Sequence, residues 1–303
     1  MMLKLSVVLL KLMQMNNSET YRRRRAQRPR RPSQLTKGVS LTVLLVIVAF
    51  GVMFWLSKAL GEEPATIGGE VTADCLTTVE LPDETNEIII NYTGFKVSFN
   101  PVHHQPNYVA WELTGAETEG TEPRESKFKA DSDVYGCATL DDYRRSGYDR
   151  GHMAPAGDMK WSAQAMEDSH YLTNICPQDH SINSGRWSTL EKKCRQWAVR
   201  DSAIIIICGP VLTDIIPNTI GRSQVSVPER FFKIVLAPYA EPPRAIGFIM
   251  PNHPTPDGLE SMATSVDNIE QITGFDFFKC LPYDIENEVE SKSNYRLWDK
   301  KRR

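Results

Sequence analysis

The stretch Ser146-Gly147-Tyr148-Asp149-Arg150-Gly151-His152-Met153-Ala154-Pro155 places an aspartate, an arginine and a histidine within four residues, between two glycines. Histidine has the unperturbed pKa nearest neutrality, so His152 is a candidate general base. Arg150 carries a permanent charge on a planar fork that suits phosphate oxygens. Asp149 could orient an imidazole or pair with Arg150, and the glycines would let the backbone approach a substrate. A structural histidine beside an ion pair is the alternative.

A second polar stretch follows about thirty residues later, from Asn183 to Arg195. On a helix beginning near Asn183, Glu191 lies slightly more than two turns away, so both oxygen-bearing side chains would share one face. Such oxygen ligands suit a hard cation such as Mg²⁺. Arg195 follows Glu191 at the spacing of an i,i+4 ion pair. The alternative is a surface helix with a cap and a salt bridge.

Around these stretches, the hydrophobic periodicity predicts short strands and a few helices. Residues 203–210 (AIIIICGP) form a continuous apolar run, which is typical of a strand buried on both faces. The other predicted strands are 87–92, 95–99, 107–114, 231–236 and 245–250. The predicted helices are 163–169, 187–199 and 259–273, the last ending at Gly274. This mixed order favours one α+β domain.

The first stretch resembles the Asp-Arg-Gly-His motif of the DNA/RNA non-specific endonucleases, a family that includes secreted bacterial nucleases and mitochondrial endonuclease G. The similarity extends through Leu172–Gln178, Asn183–Arg195, Gly209-Pro210 and Val227–Lys233, and so covers roughly residues 87–280. Several motifs in the same order make the resemblance specific. It implies a ββα-metal (His-Me finger) nuclease fold with a central, mostly antiparallel sheet.

The resemblance also implies roles for individual residues. His152 matches the base that activates water, Asn183 the Mg²⁺ ligand, and Glu191 the carboxylate that holds the metal's waters. Mn²⁺ could substitute for Mg²⁺. Arg150 and Arg195 match arginines that contact phosphate.

A further arginine, Arg124, matches a family position near the scissile phosphate on a shorter pattern, Arg124-x-x-x-Phe128-x-x-Asp131. Divalent cations and fixed arginines stabilise the charge that gathers on phosphoryl oxygens. Contacts to the phosphate backbone carry no sequence information, which fits cleavage without sequence preference.

Charge is divided unevenly along the chain. Residues 1–37 contain ten Lys or Arg and one acid, which gives +9, so the rest of the chain carries −12. An acidic body suits phosphate binding poorly, and we therefore expect a local basic cleft and weak, salt-sensitive binding. The arginines expected in that cleft are Arg124, Arg144, Arg145, Arg150, Arg186 and Arg195.

Residues 38–57 are uncharged and apolar, with Lys58 just beyond them. A helix of that length spans the ~30 Å core of a bilayer. We interpret 38–58 as an uncleaved signal-anchor. The basic tail 1–37 would then stay in the cytoplasm and the catalytic domain would be periplasmic or extracellular. A cleaved signal peptide or a buried helix is the alternative.

The remaining boundaries follow from this interpretation: a linker at 59–85, the nuclease domain at 86–283 and a C-terminal tail at 284–303. All six cysteines come after the predicted anchor, so disulfides are permitted, with fifteen pairings. A homodimer and an inhibitor protein are partners that the sequence leaves open.

The function predicted is a metal-dependent endonuclease that hydrolyses DNA and RNA through the phosphate backbone and leaves 5′-phosphate ends, as the resemblance implies. Two alternatives remain. One is a catalytically silent nucleic-acid-binding or envelope protein on the same fold, and the other is a phosphodiesterase with a non-nucleic-acid substrate. The complete set His152, Asn183 and Glu191 argues against the silent protein.

Overall fold

The isoleucine run at 203–210 forms the centre of a seven-stranded antiparallel sheet in the computed structural model, which describes residues 71–212 and 218–299. Every residue of this strand is buried, as a continuous apolar run predicts. The strands in chain order are β1 (Ile88–Tyr92), β2 (Phe95–Asn100), β3 (Gln105–Thr114), β4 (Asp149–His152), β5 (Ile175–Gln178), β6 (Ala203–Pro210), β7 (Thr219–Ile220), β8 (Val225–Ser226), β9 (Arg230–Ala237), β10 (Arg244–Pro251) and β11 (Ala263–Thr264).

The central sheet has the strand order β1-β2-β3-β6-β9-β10-β11, and all its pairings are antiparallel. β4 pairs with β5 in a separate two-stranded sheet, and β7 pairs with β8 in another. The α+β class and the mostly antiparallel sheet are therefore confirmed.

Alternation along β6 divides the core into two layers. Ile204 and Ile206 belong to the cluster that contains Trp187 and Leu190. Ile205 and Ile207 belong to a second cluster, on the other face of the sheet. Successive side chains of a strand point to opposite faces, so the isoleucine run supplies both layers at once.

The helices flank these layers and are short. In chain order they are α1 (Ala73–Leu76), α2 (Leu140–Tyr143), α3 (Ala163–Asp168), α4 (Ser188–Asp201), α5 (Leu259–Met262), α6 (Val266–Thr273), α7 (Tyr283–Glu290) and α8 (Tyr295–Asp299). A π-helical segment, Ile182–Trp187, leads directly into α4. Short 3₁₀ turns lie at Glu117–Glu119 and Leu172–Asn174.

The helix predicted at 259–273 is interrupted. Ala263 and Thr264 pair with β10 as an edge strand, and the Ser265 side chain then caps α6 by accepting from the Asn268 N–H. A serine that finds a backbone donor in this way starts a new helix. The predicted stop at Gly274 is confirmed, since this residue has φ +74° in the left-handed region.

Two segments that the sequence assigned to a linker and a tail pack against the domain where they are described. In the first, Leu76 and Val79 are buried, and Cys75 forms a disulfide with Cys280. In the second, Val289 and Trp298 are buried. Within the part of the chain that the structure describes, Cys137, Cys176, Cys194 and Cys208 are free thiols.

The predicted basic tail 1–37 and anchor 38–58 lie outside the described residues. Among residues 71–212 and 218–299, no helix combines the length and apolar character needed to cross a bilayer.

Candidate active site

The two-stranded sheet of β4 and β5 presents the Asp-Arg-Gly-His residues. Gly151 lies opposite Cys176, and a Cβ on Gly151 would fall 2.3 Å from the Gln178 side-chain oxygen. This glycine therefore allows β4 to pack closely against the Gln178 side chain. The sequence had suggested that it lets the backbone approach a substrate. Gly147 has φ +86° and forms the turn before β4.

His152 ends β4 in a nearly closed environment. The residue is only 7% exposed, and its Nε2 has no hydrogen-bond partner in the structure. The ring centroid lies 5.1 Å from Phe128 and 4.9 Å from His170. Burial, together with the electrostatic effects of His170, Arg124 and Arg150, holds the pKa of His152 well below its usual 6.5. The imidazole is therefore neutral at physiological pH.

Three side-chain hydrogen bonds hold the main chain around His152. Trp187 donates its indole N–H to the His152 carbonyl oxygen over 3.1 Å. Asn174 accepts from the Ala154 N–H and donates to the Ala154 carbonyl, both at 2.9 Å. These bonds are buried, so they fix the backbone that carries the histidine.

The sequence suggested that Asp149 orients the His152 imidazole or forms an ion pair with Arg150. The structure shows neither contact. Its Oδ2 accepts from Asn183 Nδ2 at 2.9 Å and bonds the His180 Nδ1 at 2.8 Å. Its neighbours come from the segment after β5, which the strand pairing brings alongside. Asp149 thus orients the Asn183 amide.

The spacing predicted that Asn183 and Glu191 lie on one regular helix. The structure shows that they do not. Asn183 belongs to the π-helical segment, and Gly185 has a non-helical backbone (φ −102°, ψ −106°) at a kink. Glu191 lies in the first turn of α4. Asn183 therefore precedes the kink and Glu191 follows it.

The pKa of the Glu191 carboxyl group lies near neutral pH. Burial raises its pKa to about 7, Asp158 adds to the effect, and the cations Lys233, Arg195 and Arg124 oppose it. A carboxyl in this position is partly protonated at neutral pH without a bound cation.

Arg195 pairs with Asp158 and not with Glu191, so the predicted i,i+4 ion pair is wrong. Arg195 Nη1 donates to Asp158 Oδ1 at 2.6 Å, and Trp111 Nε1 donates to the other oxygen at 3.3 Å. Asp158 is 1% exposed, and burial raises its pKa in spite of Arg195. Tertiary packing therefore brings Asp158, and not Glu191, within hydrogen-bonding distance of the Arg195 guanidinium.

Lys233 is a member of this network that the sequence analysis did not assign to the site. Its ammonium lies 4.2 Å from the Trp187 ring centroid and 5.2 Å from that of Trp111, and the residue is 1% exposed. Burial favours its neutral form, but nearby thiol and carboxyl groups outweigh this and raise its pKa. The sequence feature that could have identified Lys233 is its position inside an apolar strand. Alternation along the strand places it on the same face as Phe231 and Val235.

His170 is 1% exposed, and its Nδ1 forms a hydrogen bond with the Met166 carbonyl oxygen. Its ring touches both His152 and Phe128. Tertiary contact alone identifies it as a neighbour of the candidate base, because eighteen positions separate the two histidines in the sequence.

A cleft of about 590 Å³ opens beside these residues. Arg150 stacks on Phe128, with its guanidinium carbon 4.5 Å from the ring centroid. The cleft includes four of the six arginines predicted for a basic surface, but Arg186 instead donates to the Asp257 carbonyl and Arg195 to Asp158. The lining residues are Arg124, Phe128, Leu140, Tyr143, Arg144, Arg145, Tyr148, Asp149, Arg150 and Asn183.

The side chains present fit a hard divalent cation. The Asp149 carboxylate can only accept, so the Asn183 Nδ2 faces it and the Oδ1 carbonyl is left as a ligand. Glu191 offers a second oxygen donor from α4. Oxygen ligands of this kind, few in number and supplemented by water, are those that Mg²⁺ uses.

Comparisons with known proteins point to one family. A family model described as DNA/RNA non-specific endonuclease matches residues 74–284. The mitochondrial nuclease EXOG of Danio rerio is 32% identical over 258 residues, which cover 80% of this chain and 75% of that protein. The mitochondrial endonuclease G of Homo sapiens is 34% identical over 171 residues, covering 51% of this chain and 57% of the relative.

A crystal structure of an EndoG/EndoGI complex, which addresses the mechanism of EndoG inhibition, is similar in fold. The TM-score is 0.62 at 25% sequence identity, and the match covers 68% of this chain and 91% of that chain. The homodimer expected from the sequence stays a prediction.

The predicted location, a membrane anchor with a periplasmic or extracellular domain, is wrong. The relatives are mitochondrial nucleases. The error has a compositional cause, because an arginine-rich, acid-poor N-terminal segment is typical both of the cytoplasmic side of an anchor and of a mitochondrial transit peptide.

Proposed function

The chain belongs to the DNA/RNA non-specific endonuclease family and is a nuclease, and we propose that His152 is the general base with which it hydrolyses phosphodiester bonds. One observation carries this proposal. His152 is a neutral imidazole whose Nε2 has no partner, and its ring contacts Phe128, which lines the arginine-rich cleft. A buried nitrogen without a hydrogen bond is costly unless a water or substrate completes it.

Asn183 and Glu191 hold the cation that the family requires, which we propose to be Mg²⁺. Bound there, the cation would stabilise negative charge on the phosphoryl and leaving oxygens. Asn183 would ligate through Oδ1, and the Asp149 hydrogen bond keeps that oxygen directed away from the carboxylate. Glu191 would accept hydrogen bonds from the cation's waters in its ionised form.

The arginines bind and orient the nucleic-acid backbone. Arg150 is exposed and held in place by Phe128, so its guanidinium is available to phosphate at little entropic cost. Arg124 lines the same cleft and acts electrostatically on both His152 and Glu191. Arg195 uses one nitrogen to bind Asp158, and its remaining N–H groups are left for phosphate oxygens.

In this arrangement His152 takes a proton from the attacking water, while the arginines stabilise the negative charge that develops on the phosphoryl oxygens. Every proposed contact is to phosphate. The enzyme would therefore cut DNA and RNA without sequence preference and lose affinity as salt rises. By analogy with its relatives we infer a mitochondrial location, which fractionation of cells expressing the tagged full chain would test.

Digestion of plasmid DNA and of RNA by the purified protein tests the proposal. We expect cleavage of both with Mg²⁺, none with EDTA, and a loss of about 10²–10⁴-fold in His152→Ala. His253→Ala is the matched control, since this histidine is exposed and bonds only within its own loop at Pro254. Cleavage that survives both EDTA and His152→Ala would disprove the mechanism. Hydrolysis of a small phosphodiester without cutting of plasmid or RNA would disprove the substrate.

A further inference from the structure

Three carboxylates converge on the face of the sheet opposite the proposed active site. Asp267 and Glu270 lie on α6, and Glu290 ends α7. One carboxylate oxygen from each lies within 4.8 Å of the others. The two helices pack through Ile269 and Val289 onto the core layer that does not contain Trp187.

Glu290 is the unusual member of this group, which we name the α6–α7 carboxylate cluster. It is only 6% exposed, and its Oε1 has no hydrogen-bond partner in the structure. Glu270 is partly satisfied, because one of its oxygens accepts from the Phe277 N–H at 2.9 Å. A buried carboxylate oxygen is normally paired with a donor or a cation, so an unpartnered one at the centre of an acidic group indicates a missing ligand.

Protein cations do not neutralise the cluster. Among the residues that the structure describes, none of the salt bridges involves Asp267, Glu270 or Glu290. Lys279, the nearby lysine, pairs with Glu80 and Asp276.

Burial, together with Glu270 and Glu286, raises the pKa of Glu290 to about 9. The side chains therefore need either a retained proton or an added cation.

The spacing of the oxygens is compatible with a shared divalent cation. Oxygens that share Ca²⁺ lie about 2.3–2.6 Å from it and hence up to about 5 Å from one another, whereas those that share Mg²⁺ lie at most about 4.2 Å apart. The three oxygens lie within 4.8 Å of one another, inside the range that oxygens sharing Ca²⁺ span. Ca²⁺ also tolerates irregular sets of six to eight oxygens, so waters can fill the exposed side next to Asp267 and Glu270.

We propose that Asp267, Glu270 and Glu290 form a binding site for a Ca²⁺-like divalent cation that joins α6 to α7. Glu270 ligates through a single oxygen, because the other accepts from Phe277. The cation ties the C-terminal end of α7 to the sheet, and the Cys75–Cys280 disulfide anchors the loop between the two helices to α1. This site is separate from Asn183 and Glu191, and its role is to stabilise the C-terminal helices.

Calcium binding to the full chain, freed of metal by chelation, tests the site by equilibrium dialysis and by thermal unfolding. We expect one Ca²⁺ per chain that persists in Asn183→Ala, and a rise of about 5–10 °C in Tm at a hundredfold excess over Kd. Glu290→Gln should weaken this binding at least tenfold and remove the Tm rise. The double variant Asp267→Asn/Glu290→Gln should bind no Ca²⁺ at this site.

Glu288→Gln is the matched control, since Glu288 lies two residues from Glu290 on the same helix but is exposed and pairs with Lys292. It should bind Ca²⁺ as the wild type does. Equal binding by wild type and Glu290→Gln would overturn the proposal, as would a chain whose only bound Ca²⁺ disappears in Asn183→Ala. Because the readouts are binding and unfolding, a failure of the nuclease mechanism would leave these results unaffected.

Discussion

Trp187 donates its indole N–H to the main-chain carbonyl oxygen of His152 across 3.1 Å, and both residues are buried. Trp187 is the last residue of the segment that contains Asn183, and His152, the proposed base, is the last residue of β4. This single bond therefore joins the metal side of the site to the base side, over a separation of 35 residues in the sequence.

Trp187→Phe should reduce both stability and activity. The substitution keeps an aromatic ring under Lys233 but leaves the His152 carbonyl buried without a donor, which costs about 1–3 kcal/mol. We expect a lower Tm and a fall in kcat of at least about tenfold, because the base moves relative to the cleft. Trp161→Phe, at a residue 38% exposed, is the control. Wild-type Tm and kcat in Trp187→Phe would show that the bond is unimportant.

The acid limb of the pH–activity profile should lie below pH 6.5 at saturating Mg²⁺. The base acts only when neutral, and burial with His170 and the arginines lowers the pKa of His152. Protonation therefore begins only below the usual histidine range. His170→Phe removes a neighbour that lowers the pKa of His152 and should move the limb upward. A limb at or above pH 6.5 in the wild type, measured as kcat/KM, would contradict the assignment.

The Mg²⁺ requirement should depend on pH near 7. The pKa of Glu191 is raised to about 7, chiefly by burial, so below that pH a proton competes with the cation's waters for the carboxylate. The Mg²⁺ concentration for half-maximal activity should rise up to about tenfold per pH unit as pH falls below 7. In Glu191→Gln, which cannot ionise, this dependence should vanish. A Mg²⁺ requirement that is constant from pH 8 to 6 in the wild type would refute the role of Glu191.

Asp149→Ala should weaken Mg²⁺ binding while leaving the fold intact. Asp149 holds the Asn183 amide through a 2.9 Å hydrogen bond, and loss of such an outer partner weakens metal affinity about 10–100-fold. The measurement is the Mg²⁺ dependence of plasmid cleavage. Asp141→Ala, an exposed acid that pairs with Arg144, should behave as the wild type. If the two variants require the same Mg²⁺ concentration, Asp149 does not orient the ligand.

Cys75→Ala/Cys280→Ala should destabilise the protein without changing the chemistry. The disulfide closes a loop of 205 residues, so its removal releases a large amount of chain entropy in the unfolded state. We expect a loss of about 2–4 kcal/mol in the free energy of unfolding, with kcat unchanged. Cys137→Ala, at a free and half-buried thiol, is the control. Denaturation curves that coincide for the pair variant and the wild type would contradict the expectation.

Local patterns in the sequence determined the central sheet. The apolar run at 203–210, and the predicted strands that became β2, β3, β9 and β10, match the observed strands closely. The period of two along a strand is a local property, so it survives whatever the rest of the chain does. Motif order likewise identified the family, because it needs no knowledge of contacts.

Tertiary structure alone decided the partners of the charged groups. Asp149 faces Asn183 and His180, and Arg195 faces Asp158, 37 residues away, although closer candidates were present in the sequence. The packing of strands and helices makes this choice, because it brings groups that are far apart in the sequence within hydrogen-bonding distance. The kink at Gly185 and the burial of Lys233 beneath Trp187 have the same origin in packing. The sequence by itself therefore determined which residues could do the chemistry, and the packing of strands and helices decided which of them meet.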